Sequence, residues 1–145
     1  MYKLNNSTPT EMLVESLKKK SHFSSYQEKV EELPELSICL SSHIFKKNIS
    51  IEALAELSGS NRATLYRILK NEIKPSRNNI LRLALVLGLS FPETQYLLKC
   101  GNLSALSASR RRDVIIIDGI VHKTSIDEIN EVLIKEKLMD IYCKG

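Results

Sequence analysis

At 145 residues the chain has room for one domain with extensions and too little for two domains of full size. A hydrophobic content of 43%, with 5 Gly and 4 Pro, excludes a low-complexity or wholly disordered chain. The formal net charge of +4 is unevenly placed: residues 1–33 and 102–145 each balance, and the whole excess lies in 34–101, where nine basic side chains face five acidic ones. A basic surplus confined to one stretch points to a polyanionic partner for that stretch.

Thr8-Pro9-Thr10-Glu11 is a capping box with proline at the first helical position, which predicts a helix from about Pro9 to Lys20 with Met12, Leu13 and Leu17 on one side. Lys18-Lys19-Lys20 then fits a helix C-terminus meeting its dipole. A second short helix is expected over about 25–33. Residues 1–33 are thus read as an N-terminal helical extension.

Pro34 opens the next helix, whose inner face carries Leu36, Leu40 and Ile44 at i, i+4 and i+8. Ser50 caps a helix over Ile51 to Ser58, Gly59 supplies a residue that tolerates positive φ, and Asn61 caps a second helix running to about Lys70. Ala55 and Gly59, four apart, are the small residues that two closely crossing helices require, and Leu54, Leu65 and Ile68 surround them. Two short amphipathic helices around a tight glycine turn make a helix-turn-helix. With Leu65, Ile68 and Leu69 inward, the second helix turns Asn61, Arg62, Ala63, Tyr66 and Arg67 outward, a set suited to base edges in a major groove. Lys70, Asn71, Lys74, Ser76 and Arg77 follow and are expected to hold phosphates, the last two at a helix N-terminus that favours anions.

The segment Arg77 to Leu87 is apolar nearly all round, so it must be packed on several sides. Gly88 ends it. Ser90-Phe91-Pro92-Glu93 starts a further helix that stops at Gly101. Residues 34–101, and above all Leu54-Ala55, Gly59, Leu65, Ile68, Lys74-Pro75-Ser76-Arg77 and the apolar helix from Ile80 to Leu89, resemble the lambda-repressor-like helix-turn-helix domain of phage repressors and related bacterial regulators. The resemblance implies an all-α, five-helix DNA-binding domain. Two positions depart from the pattern. Ser60 stands where an aliphatic residue is usual, which would weaken packing of the turn, and Ile51 stands where several phage repressors carry a phosphate-contacting glutamine.

Residues 102–109 are small and polar and read as a linker. Beyond them Arg110-Arg111-Arg112-Asp113 leads into Val114-Ile115-Ile116-Ile117, β-branched but without an evident partner strand, so a helix is expected. The three arginines are expected to be neutralised by Asp113 and the acidic C-terminal helix, the alternative being contact with flanking DNA. Ser125-Ile126-Asp127-Glu128 caps a last helix, and 110–145 becomes a helical hairpin.

No catalytic constellation is evident: His22, His43 and His122 lie in separate segments, and Cys39, Cys100 and Cys143 have no metal-binding or disulfide spacing. The cysteines are expected to be plain, dispensable thiols. Neither a signal-peptide core nor an apolar run of membrane length is present, and a cytoplasmic protein is expected. The sequence therefore predicts a non-enzymatic regulator, without cofactor or metal, that binds double-stranded DNA and acts as a repressor. A homodimer is expected, joined through the flanking helices, so that removing 110–145 would weaken self-association. The alternative is a protein-interaction module of the same fold, such as an antitoxin, with its partner on the C-terminal hairpin.

Overall fold

The computed structural model describes residues 33–143, and the helices expected at 9–20 and 25–33 lie outside them. Among the described residues the chain is all-α, with no strand. Its helices are α1 (Leu36–Lys47), α2 (Ile51–Ser58), α3 (Arg62–Leu69), α4 (Arg77–Leu87), α5 (Phe91–Cys100), α6 (Arg111–Val121) and α7 (Ile126–Lys135). The β-branched run after Arg112 is helical, as its lack of a pairing strand requires.

Helix boundaries follow local chemistry. The side chains of Ser50, Asn61, Ser76, Ser90 and Ser125 each accept from a backbone N–H in the first turn of the helix they precede. Ser90 and Glu93 form a complete capping box. The box expected at Ser125 is half formed: Ser125 Oγ accepts from Glu128 N, but the Glu128 carboxylate takes the Ser125 hydroxyl proton rather than a backbone N–H. Gly59 at φ 69° and Gly88 at φ 65° end α2 and α4 in the left-handed region.

Helix α4 is the centre of the unit, packing on α1, α2, α5 and α7. Ile80, Leu81, Leu83, Ala84 and Leu87 are buried on it, which explains an apolar pattern too wide for one face. Its remaining sides bury three polar residues, Asn78, Asn79 and Arg82. Buried polar groups need partners, and the C-terminal part of the chain supplies many of theirs.

Pro34–Gly145 accordingly forms one compact unit, with no break at 102–109. The stretch read as a linker is fixed in place. Gln95 on α5 holds it at one residue, its Nε2 donating to the Leu106 carbonyl at 3.0 Å and its Oε1 accepting from Leu106 N at 2.8 Å. Leu106 itself is buried. Helices α6 and α7 meet at Gly119, where a Cβ would come within 2.6 Å of Ile129 Cγ1, so glycine permits the close approach of the hairpin.

The three cysteines are free thiols. Cys39 on α1 is pushed up to about 11 by burial and by the neighbouring Cys100 thiol, so it is protonated and a poor nucleophile at neutral pH.

Candidate nucleic-acid interface

Helix α3 is held stiffly from below and from its start. Leu65 and Ile68 are buried in the core shared with α1 and α2. Asn61 Oδ1 accepts from Ala63 N at 2.8 Å and from Thr64 N at 3.3 Å, so the Asn61 carboxamide is committed on its oxygen side to capping and keeps its Nδ2 group as a donor. Asn61, Arg62, Ala63, Tyr66 and Arg67 are all exposed, and helical spacing places them on the side opposite Leu65 and Ile68.

Two of the cations on this face have acidic neighbours. Arg62 Nη1 lies 3.8 Å from Glu52 Oε2, and Arg67 Nε lies 3.6 Å from Glu72 Oε1. The Tyr66 hydroxyl donates to Glu52 Oε2 at 3.0 Å. Glu52, at the start of α2, is thus drawn into the outer face of α3. Its own backbone N–H and the Tyr66 hydroxyl hold its carboxyl below the usual carboxylate range, while the same hydrogen bond raises the Tyr66 phenol.

The expected phosphate ligands divide. Lys70, at the C-cap of α3, and Lys74 are exposed beside α3. Asn71 takes a left-handed conformation at φ 62°, and its Nδ2 donates to Glu35 Oε2 at 3.1 Å. Ser76 Oγ accepts from Asn79 N at 3.1 Å as the cap of α4 and retains its hydroxyl proton for an outside acceptor. Arg77 is elsewhere. Its Nη1 and Nη2 donate to the two carboxylate oxygens of Asp113 at 3.1 and 3.0 Å, its Nε to the Ser104 carbonyl and Nη2 again to the Ala105 carbonyl. With its Nε, Nη1 and Nη2 all donating within the protein, Arg77 ties α4 to α6 and is removed from the expected phosphate set. Burial pushes the Asp113 carboxyl up, but hydrogen bonds from Arg77 and Ser107 N together hold it below its usual value.

The arginine run after residue 109 resolves in a similar way. Arg111 pairs with Glu136, and Arg112 donates to the carbonyls of Met139 and Asp140 and to Asn78 Oδ1. Of the two groups expected to neutralise this run, the C-terminal helix does so for Arg111 through Glu136 at its C-cap, whereas Asp113 forms its ion pair with Arg77.

A buried guanidinium supports the turn itself. Arg82 is 7% exposed. Its Nε donates to the Ser58 carbonyl and its Nη1 to the Ile141 carbonyl, both at 2.8 Å, and it stacks 5.3 Å from the Tyr142 ring centroid. The Tyr142 ring in turn lies against Gly59, where a Cβ would approach its Cε1 to 2.8 Å. Ser60, one of the two departures from the resembled pattern, is hydrogen-bonded at the turn. Its Oγ accepts from Ser58 Oγ at 3.0 Å and donates to Asn79 Oδ1 at 2.7 Å, so a polar chain replaces the usual apolar contact. The signal for this network in the sequence was the triplet Asn78, Asn79 and Arg82 within an apolar helix; Glu52 had no such signal.

A family model described as helix-turn-helix matches residues 46–93, from the last two residues of α1 into the first turn of α5. Residues 46–93 hold a helix-turn-helix domain. Such a domain is capable of binding DNA, and its family is typical of non-enzymatic regulators. Comparison with curated proteins and with solved structures finds no match. Among the described residues no group of three or more His, Cys, Asp or Glu side chains is placed to hold a metal ion, and no helix is long and apolar enough to cross a membrane.

Proposed function

We propose that this chain is a sequence-specific transcriptional regulator of the lambda-repressor-like kind, acting as a repressor, with α3 in the major groove of duplex DNA. The observation that carries the reading is the outer face of α3: Arg62, Ala63, Tyr66 and Arg67 stand exposed on a short helix fixed by its cap and by Leu65 and Ile68. Arg62, Tyr66, Arg67 and the Asn61 amide read bases, with Ala63 offering an apolar contact; Lys70, Asn71, Lys74 and Ser76 hold phosphates. A homodimer sets two copies of α3 about 34 Å apart, one turn of B-DNA, and gives a small domain the second half-site that useful specificity requires.

Selection of bound sequences from a random duplex pool tests the reading. Enrichment of a palindromic site supports both the DNA function and the dimer, enrichment of a single half-site supports the first alone, and no enrichment refutes sequence-specific DNA binding. The interaction-module alternative is favoured by one feature, a groove of about 670 Å³ between α6 and α7, floored by Val114, Ile115, Gly119 and Val132. Failure of DNA selection together with copurification of a protein that Val132→Glu releases would establish it.

A further inference from the structure

The groove-facing side of α3 includes a carboxylate that does not belong to α3. Glu52 sits near the N-terminus of α2, and one of its oxygens, Oε2, serves both Arg62 Nη1 at 3.8 Å and the Tyr66 hydroxyl at 3.0 Å. All three side chains are solvent-exposed, so burial does not force the arrangement. Negative charge beside a DNA-binding face opposes phosphate approach, and a solvated glutamate with no role there would be free to point away.

We propose that Glu52 is a positioning residue for DNA recognition, holding Arg62 and Tyr66 toward base edges and keeping Arg62 from binding phosphates indiscriminately. The proposal rests on the DNA-binding reading of α3. The atoms support it. Glu52 meets Arg62 through Nη1, which leaves the Nε–Nη2 edge of the guanidinium, two parallel donors, turned to other acceptors. Two parallel donors match O6 and N7 of guanine, whereas a phosphate can be met from any direction. Tyr66, donating to the same carboxylate, fixes the glutamate between them. Specificity then comes partly from a penalty on wrong sites: without a guanine in register, Arg62 remains neutralised by Glu52 and adds nothing to non-specific affinity.

The test compares the full chain and its Glu52→Gln variant on a selected operator and on a random duplex over a range of salt. Glutamine keeps the size and an acceptor for Tyr66 but removes the charge. Arg62 should then gain a phosphate on any DNA, steepening the random-duplex dependence of log K on log salt by about 0.9 and raising affinity about 8-fold at 0.1 M salt. Operator affinity should not rise, because the orientation of Arg62 is lost, and the ratio of operator to random affinity should fall about 8-fold or more. A merely structural role would move both affinities together. Equal changes on the two DNAs, or none, overturn the proposal. Arg67→Ala is measured alongside: if it weakens operator binding while Glu52→Gln changes nothing, the role of Glu52 is refuted and DNA recognition by α3 stands. If neither the full chain nor any variant binds duplex DNA, the DNA-binding reading falls, and the role of Glu52 with it.

Discussion

Replacing Arg82 by methionine tests whether the C-terminal segment and the helix-turn-helix are energetically one body. Methionine fills much of the arginine stem volume and packs adaptably, so the perturbation is the loss of the guanidinium rather than a cavity. Two buried carbonyls, of Ser58 and Ile141, would lose their donors at 2.8 Å. Each orphaned acceptor costs about 1–3 kcal/mol, and the exposed side of the Tyr142 stack adds roughly 0.5 kcal/mol. Against this, the variant no longer has to desolvate a cation that has no carboxylate within its hydrogen-bonding set. The expected net loss is about 2–4 kcal/mol, or roughly 8–16 °C in Tm for a unit the size of Pro34–Gly145. Urea unfolding followed by far-UV circular dichroism would show a lower midpoint at an unchanged m-value. A variant within about 0.5 kcal/mol of the native protein, or more stable, would refute the argument and place Arg82 among the buried cations that an apolar side chain replaces at no cost.

On the selected operator, Arg67→Ala should cost about 1–3 kcal/mol and relax preference at one base pair, whereas Lys74→Ala should weaken all duplexes alike and flatten the salt slope by about 0.9; equal loss on operator and random DNA for Arg67→Ala would remove it from the base-reading set. The folded Asp113 carboxyl titrates below its ordinary value of 3.8, so its stabilising pair with Arg77 is fully present above that value and is lost as pH falls through the lower, folded one. Asp113→Asn should lower neutral-pH stability by about 3 kcal/mol and flatten the acid limb of a urea-midpoint profile between pH 2 and 5; an unchanged profile would show that other carboxylates govern acid unfolding. Gly119→Ala should destabilise by about 1–3 kcal/mol despite alanine's better helix propensity, because its Cβ would meet Ile129 Cγ1 at 2.6 Å, and the same substitution made in an Ile129→Ala background, where that contact is gone, should cost less.

Five of the helices between Leu36 and Lys135 were legible because each is announced by a side-chain cap, Ser50, Asn61, Ser76, Ser90 or Ser125, while those at Leu36 and Arg111 have none and were legible from apolar pattern alone. The outward face of α3 was legible for the same reason: once Leu65 and Ile68 are assigned inward, 3.6-residue periodicity places the rest. Long-range polar pairing was not. Nothing in the spacing of Arg77 and Asp113, 36 residues apart, marks them as partners, and a basic residue at a helix start reads equally well as a phosphate ligand. The same holds for charge. Of the nine basic residues in 34–101, Arg77 and Arg82 are spent internally, which halves the surface excess from four to two, and Glu52 and Glu72 lie beside Arg62 and Arg67. Composition locates charge along the chain, whereas folding decides which charges remain available.

That internal pairing also decides how self-association must be tested. Removing 110–145 would strip Asp113 from Arg77 and the Ile141 carbonyl from Arg82, leaving both short of acceptors, and would take both side-chain partners, Cys143 O and Arg112, from the buried Asn78. It would also uncover the side of α4 that packs on α7. A truncated chain that failed to associate would therefore report damage to the helix-turn-helix as readily as loss of an interface. Point substitution on the exposed side of the hairpin avoids this. Val132 and Ile134 are 44% and 57% exposed on α7 and belong to no part of the buried core, so Val132→Glu and Ile134→Glu leave that core intact. If α6 and α7 join two protomers, each charge placed in an apolar interface should raise the dimer dissociation constant at least tenfold, the effect of about 1.4 kcal/mol, with no change in Tm of the dissociated chain. Sedimentation at micromolar concentration reads the dissociation constant directly. A dimer unaffected by both substitutions would move the interface to another surface, and a native chain that is monomeric alone and on DNA would refute the homodimer outright.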